Sequence, residues 1–213
     1  MKKLIEPNFE LEKSVIEFSK KHIAGVDEVG RGALAGPIVA AAVVFKDYDD
    51  IIQLLGGIKD SKLLSSSKRE KLDQIIKESA HSYAVGVVDV EEIDGFGIGA
   101  ANVLAFKRAL DQLVLCDFAF IDGRKFRGFE YPYRCVVKGE SKSISIAAAS
   151  IVAKVHRDKL MDQLHRNFKG YGFSHNKGYG TDEHLAAVKN IGICKAHRKS
   201  FLKEYLNLNN TLF

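Results

Sequence analysis

One stretch limits what this chain can fold into more than any other: His22 to Val44, HIAGVDEVGRGALAGPIVAAAVV. Two apolar runs are separated by a charged, glycine-rich break. The second run, Ile38 to Phe45, is too continuously apolar to lie exposed on either face, so it reads as a strand buried on both sides of a sheet. The first run, Ile23 to Val29, also reads as a strand but carries Asp27 and Glu28 near its end. Together they predict an antiparallel pair in the core. Charge in a buried strand is costly unless something compensates it. Gly30-Arg31-Gly32 follows the acids at once, and glycines beside a cation let a backbone approach a bulky anion. Two readings are open at this point: an acidic bulge exposed on a hairpin, or carboxylates that hold a metal beside a loop that handles phosphate.

The rest of the chain bears on that choice. Its 213 residues fit one domain, and 46% hydrophobic with 28% charged residues is the balance of an ordinary globule. No apolar run approaches the roughly 18 residues needed to cross a bilayer. The N-terminal MKKLIEPNFELEK has no continuous apolar segment of the secretory kind. Cys116, Cys135 and Cys194 are widely spaced and match no zinc motif, as in reduced thiols. These features predict a cytoplasmic protein with no membrane association. A net charge of +5 leans toward a polyanionic partner. The basic residues gather in a central block (Lys138, Lys142, Lys154, Arg157, Lys159) and a C-terminal one (Lys195, His197, Arg198, Lys199, Lys203), among glycines and aromatics.

In order, residues 1 to about 21 read as an amphipathic lead-in with Phe9, Leu11, Val15, Ile16 and Phe18 as its apolar side. After the strand pair, Lys46 to Lys59 reads as a loop with one short helical turn. Ser65 or Ser66 caps a helix that ends near Ser79. Ser82 to Val90 alternates as a third strand. Gly95, Gly97 and Gly99 punctuate the approach to a helix over Ala100–Leu115. Phe118 to Asp122 is a buried strand ending on an acid and a glycine, and Tyr133 to Val137 is a fifth. Ser141 or Ser143 caps a long helix from Ile144 to about Phe168, whose small residues allow close packing on a sheet. A glycine- and aromatic-rich loop, 171–181, precedes a helix over Asp182–Lys189, capped by Thr181, and a last helical segment over Phe201–Leu208. The order predicts one mixed α/β domain with a helical C-terminal piece.

Asp27, Glu28 and Asp122 therefore stand in strands or at their tips, where open α/β sheets place ligands. Glu140 closes the fifth strand. Hard divalent cations take oxygen ligands, and two of them about 4 Å apart can clamp both oxygens of a phosphodiester displacement. Asp158, beside Arg157 on the long helix, competes with Glu140 as the fourth acid.

The residues Gly25-Val26-Asp27-Glu28-Val29-Gly30-Arg31-Gly32, with Ala35-Gly36-Pro37, resemble the signature of the ribonuclease HII family. The resemblance continues in the same order through Asp60-Ser61-Lys62-Leu63, Ile121-Asp122-Gly123, Val137-Lys138-Gly139-Glu140, Ala148 to Val155, Lys177-Gly178-Tyr179 and His197 to Phe201. It covers nearly the whole chain. It implies a ribonuclease H-like fold: a five-stranded mixed sheet flanked by helices, with a catalytic core over about 22–168. A small helical C-terminal extension over about 169–213 would contribute to substrate binding.

The resemblance further implies a monomeric endoribonuclease that uses Mn2+ or Mg2+. Such an enzyme hydrolyses the RNA strand of RNA–DNA hybrids and incises duplex DNA 5′ of a single embedded ribonucleotide, leaving 3′-hydroxyl and 5′-phosphate ends. Asp27, Glu28, Asp122 and Glu140 would be its catalytic, metal-binding acids; the family usually has Asp at the fourth position, and the extra methylene here moves that carboxylate by about 1.5 Å. Gly97 is a second departure, where Asn is more usual. Gly30, Arg31 and Gly32 would read the ribose 2′-hydroxyl, which alone distinguishes RNA from DNA at one residue. Tyr179 would pack on the neighbouring sugar, and Lys154, Lys177 and Arg198 would contact phosphates. Ribonuclease HIII also carries Glu as fourth acid but has a long N-terminal domain, whereas 26 residues precede Asp27 here. A non-catalytic hybrid-binding protein of the same fold would not need all of Asp27, Glu28 and Asp122. A replication-associated partner is compatible with the apolar C-terminal Leu212-Phe213 but is not identified by it.

Overall fold

The computed structural model describes residues 6–16, 20–55, 58 and 64–206. The Asp60-Ser61-Lys62-Leu63 motif, Phe18 and the C-terminal residues 207–213 lie outside the described residues. In chain order the elements are α1 (Glu10–Ile16), β1 (Ile23–Val29), β2 (Ile38–Val44), α2 (Tyr48–Leu54), α3 (Ser66–Ser79), β3 (Ser82–Val88), α4 (Val90–Phe96) and α5 (Ile98–Asp111). There follow β4 (Phe118–Asp122), β5 (Tyr133–Val136), a single 3-10 turn over Gly139–Ser141, α6 (Ile144–Asn167), α7 (Phe173–Asn176), α8 (Asp182–Ile191) and α9 (Lys199–Leu206).

The strands form one five-stranded mixed sheet in the order β3-β2-β1-β4-β5. β1 pairs antiparallel with β2 and parallel with β4, β2 runs antiparallel to β3, and β4 parallel to β5. The unbroken apolar run of β2 follows from its place between two helical layers. Val39, Ala41 and Val43 join the cluster under α6, while Ile38, Ala40, Ala42 and Val44 join the one under α5. The helices approach where side chains are missing. A methyl group on Gly86 would lie 2.1 Å from the Ala105 carbonyl oxygen of α5, and one on Gly25 would lie 2.1 Å from the Ser145 carbonyl carbon of α6.

The predicted caps hold: Ser65 accepts from the Lys68 amide, Ser143 from Ile146 and Thr181 from His184. Three helices depart from the sequence expectation. The turn expected in 46–59 is the seven-residue α2, and the loop over 171–181 contains the short α7. α4 was not expected at all. It is nucleated by a capping box in which Asp89 accepts from the Glu92 amide at 2.9 Å and Glu92 accepts from the Asp89 amide at 3.2 Å. α7 and α8, with the segment that leads into α9, pack through Tyr171, Phe173, Val188 and Ala196 onto Met161 and Ala35, which brings the C-terminal region to the loop after β1. No helix among the described residues is long and apolar enough to cross a membrane.

Candidate active site

Val26 of β1 pairs with Ile121 of β4, and one residue further on each strand stand Asp27 and Asp122. Alternation puts both on one face. Ala24, Val26, Ala119 and Ile121 belong to the α5 side, whereas Ile23 and Phe120 meet Ile146 of α6, so Asp27 and Asp122 share the α6 side. Glu28 takes the opposite face, toward Asn102 of α5. Glu140 arrives by a different route. After β5 the backbone turns left-handed at Lys138 (φ +56°), and the Gly139 amide donates to the Asp122 carboxylate at 2.6 Å. The hydroxyl of Ser150 on α6 donates to Glu140 at 3.4 Å and also hydrogen-bonds Asp27. Ser150 thus ties the fourth acid to the first, a role that its place in a run of small residues did not reveal.

Burial and mutual repulsion dominate the electrostatics. Burial raises the Asp27 carboxyl well above the carboxylate range, and Glu28, Asp122 and Glu140 add to the rise against the Ser150 hydrogen bond. Glu28 is raised to about 7, by burial first and Asp122 next, with Arg31 opposing. Arg31 is therefore one protein cation that partly compensates the group. Among the described residues no three acidic, histidine or cysteine side chains are drawn close enough to share one ion. The set is nevertheless of the right kind. Hard oxygen donors gathered about the buried Asp27, two of which, Asp27 and Glu28, are pushed toward protonation, fit a divalent cation of the Mg2+ or Mn2+ type, which would neutralise them. Asp158 is placed elsewhere: it pairs with Lys154 and lies 3.8 Å from Arg69 of α3, and it is not among the charges that act on Asp27.

The glycine loop is built by two buried arginines. Gly30 has φ +89°, and a methyl group on it would lie 2.1 Å from Arg157 Nε. Arg157, fully buried, donates to the carbonyls of Pro37 (2.9 Å), Lys177 (2.8 Å) and Ala35 (3.1 Å). Arg198, also fully buried, donates to the carbonyls of Gly36 (2.8 and 3.0 Å) and Arg31 (3.0 Å). The expected phosphate contact at Arg198 is corrected by this placement: its donors hold backbone carbonyls and water does not reach it, so it positions the loop. Lys154 is half-buried and ion-paired with Asp158. Lys177 has φ +50° and pairs with Asp162. Gly32, in contrast, faces open space.

Tyr179 is 37% exposed and lies 5.5 Å from the Arg157 guanidinium. Its backbone is fixed from behind by two buried histidines. The Cys194 amide donates to His197 Nδ1 at 3.0 Å, so the His197 proton is on Nε2. That Nε2 lies 3.1 Å from His184 Nε2, which leaves the His184 proton on Nδ1 to donate to the Tyr179 carbonyl at 2.9 Å. Burial, then His184, lowers His197 to about 4, so the pair is neutral and does not belong to the C-terminal positive charge.

The ribonuclease HII family profile matches residues 24–204. Ribonuclease HII of Clostridioides difficile is 50% identical over 186 residues, 87% of this chain and 71% of that protein. Among solved structures, the ribonuclease HII of Archaeoglobus fulgidus, solved in complex with PCNA, has a TM-score of 0.73 at 26% identity, covering 89% of this chain and 98% of the other. Bst ribonuclease HIII, solved in complex with Mn2+, has a TM-score of 0.61 at 26% identity, covering 80% and 63%. With Asp27, Glu28 and Asp122 at the neighbouring ends of β1 and β4, Glu140 in the turn after β5, and a profile match over most of its length, this chain belongs to the ribonuclease HII family.

Proposed function

We propose that this chain is an endoribonuclease that cuts the RNA strand of RNA–DNA hybrids and nicks duplex DNA on the 5′ side of a single ribonucleotide. The observation that carries the reading is the placement of Asp27, Glu28, Asp122 and Glu140 beside a glycine loop whose conformation is fixed by Arg157 and Arg198. A rigid loop with open space at Gly32 suits backbone recognition of a 2′-hydroxyl, which needs pre-set donors and acceptors more than it needs charge. Tyr179, held by the His184–His197 pair and stacked near Arg157, is placed to pack on a sugar. Lys177, two residues before Tyr179, would reach a phosphate only by exchanging its ion pair with Asp162.

Asp27, Glu28, Asp122 and Glu140 would hold Mn2+ or Mg2+, which when bound supplies Lewis-acid stabilisation of the charge that develops on the phosphate. The protein's own part is to orient the phosphodiester and to hold the carboxylates in place, the Gly139 amide on Asp122 and the Ser150 hydroxyl on Glu140. Water attacks phosphorus, the bond to the 3′ oxygen breaks, and the products carry a 3′-hydroxyl and a 5′-phosphate. The A. fulgidus complex supports a replication-associated partner for this chain as well.

A duplex with one internal ribonucleotide, incubated with Mn2+ or Mg2+ in parallel, is expected to be nicked on the 5′ side of that residue, and an all-DNA duplex is expected to stay intact. Folded protein that cleaves neither the single-ribonucleotide duplex nor a long hybrid with either metal overturns the reading. The fourth acid is tested on the same substrate. Glu140→Asp, which pulls the carboxylate back by about 1.5 Å, should change the ratio of the two metals' activities. Asp158→Asn should leave that ratio as it is. The reverse pattern would exchange their roles.

A further inference from the structure

Directly after Asp122 the backbone turns at Gly123 (φ +113°), and there a cavity of about 450 Å³ opens between the end of β4 and the edge strand β5. Arg124, Lys125 and Arg134 line it, together with Gly123, Tyr133 and Val137. Arg127 and Lys138, both exposed, flank this segment in sequence. Among the described residues none of Arg124, Lys125, Arg127, Arg134 and Lys138 forms an ion pair, whereas Lys107, Lys154 and Lys177 are each engaged with an aspartate. Arg134 is also pre-ordered, its guanidinium 4.7 Å from the Phe120 ring. A row of unpaired cations that begins two residues from a cluster of acids has one physical use that the acids themselves cannot serve. The acids repel every phosphate except one neutralised by cations between them, so the flanking phosphates of the same chain need separate positive ground.

We propose that this cavity binds backbone phosphates of the substrate duplex beside the scissile one and so sets how far the duplex must extend past the cut. The proposal rests on the hybrid-nuclease reading above. Both arginines are exposed, and their exchange leaves the core untouched. Contacts to phosphate carry no sequence information, so the effect should be the same on any sequence.

The test compares the Arg124→Gln/Arg134→Gln double variant with the native chain and with a Lys13→Gln/Lys46→Gln control that removes the same charge at another surface. Anisotropy of a labelled single-ribonucleotide duplex without divalent metal gives affinity and its salt dependence. Turnover with metal gives kcat and KM. The expected results are at least tenfold weaker binding, a salt slope smaller by about 2, since each phosphate contributes about 0.9, a raised KM and an unchanged kcat. Trimming the duplex on one side of the ribonucleotide should weaken the native chain and leave the double variant indifferent. Arg124→Lys/Arg134→Lys should recover most of the slope. Equal affinity and slope in the double variant and native chain, or an equal loss in the control, overturns the proposal. If the native chain binds the duplex but does not cut it, and the double variant binds less, the cavity assignment stands and the nuclease reading falls. If the native chain binds no duplex, both fall.

Discussion

Asp27→Asn is expected to lower cleavage by about 10³-fold, a loss of roughly 4 kcal/mol of transition-state stabilisation, while making the metal-free protein more stable. The two effects have one cause. Asp27 is 5% exposed and shares its surroundings with Glu28, Asp122 and Glu140, so without a cation its negative charge works against folding. Asparagine keeps an oxygen to accept the Glu28 amide, which donates to Asp27 Oδ1 at 2.7 Å, and removes the charge. A gain of about 1 kcal/mol at pH 8, or on the order of 2–4 °C in Tm, is the expected size.

The pH dependence follows from the same groups. Glu28 titrates near 4.5 when unfolded and about 7 when folded, so the folded state binds more protons between those values. Its contribution is full below pH 4.5 and is lost as the pH rises through 7, on the order of 3 kcal/mol in all. Asp27 acts in the same direction. His197 acts in the opposite one: its folded value of about 4 lies below its ordinary 6.5, so its contribution is present above 6.5 and is lost as the pH falls through 4. Comparing native chain and variant across pH cancels the histidine and isolates the acids. Added Mn2+ or Mg2+ should raise the native Tm at pH 8, barely at pH 5, and little in Asp27→Asn at either pH. A variant less stable than the native chain at pH 8 without metal would show that Asp27 is compensated by the protein alone.

The second large effect is on the fold itself. Gly25→Ala is expected to cost about 3 kcal/mol and roughly 10 °C in Tm. The added methyl would lie 2.1 Å from the Ser145 carbonyl carbon and 2.3 Å from the Ile146 amide nitrogen, both backbone atoms in the first turns of α6. No rotamer change relieves such a contact, so β1 and α6 must separate. Ser150 sits on that helix and Asp27 on that strand, and cleavage should fall further than stability alone explains. Gly32→Ala, the same chemical change in open space, should alter stability by less than about 0.5 kcal/mol. Equal Tm values for the two variants would remove the close approach as an explanation.

What the sequence made legible, and what it hid, follows from how each residue is held. β1, β2 and β4 were readable because burial on two faces demands apolar runs, and the acids stood out as breaks in those runs. The caps at Ser65, Ser143 and Thr181 were readable because their signals are local. α4 was obscured by Gly95 and Gly97, although Asp89 and Glu92 already spelled its capping box. Arg157 and Arg198 were unreadable in principle. A cation in a basic stretch is ordinarily solvated, and only the fold shows that Arg198 finds its acceptors at residues 31 and 36. The same holds for the neutral state of His197, which depends on the distant His184.

The ties made by Arg198 also set an order of assembly. Residues 31 and 36 are given their shape by a side chain more than 160 positions later. A chain made from its N-terminus has all four acids once residue 140 has emerged, yet the loop beside them gains its last supports only when residues 157 and 198 have arrived. Closing so long a separation is among the slower events of folding. In a nascent molecule the four acids are therefore all present in sequence before the loop beside them is complete in shape, and the setting of that loop is among the last steps of its assembly.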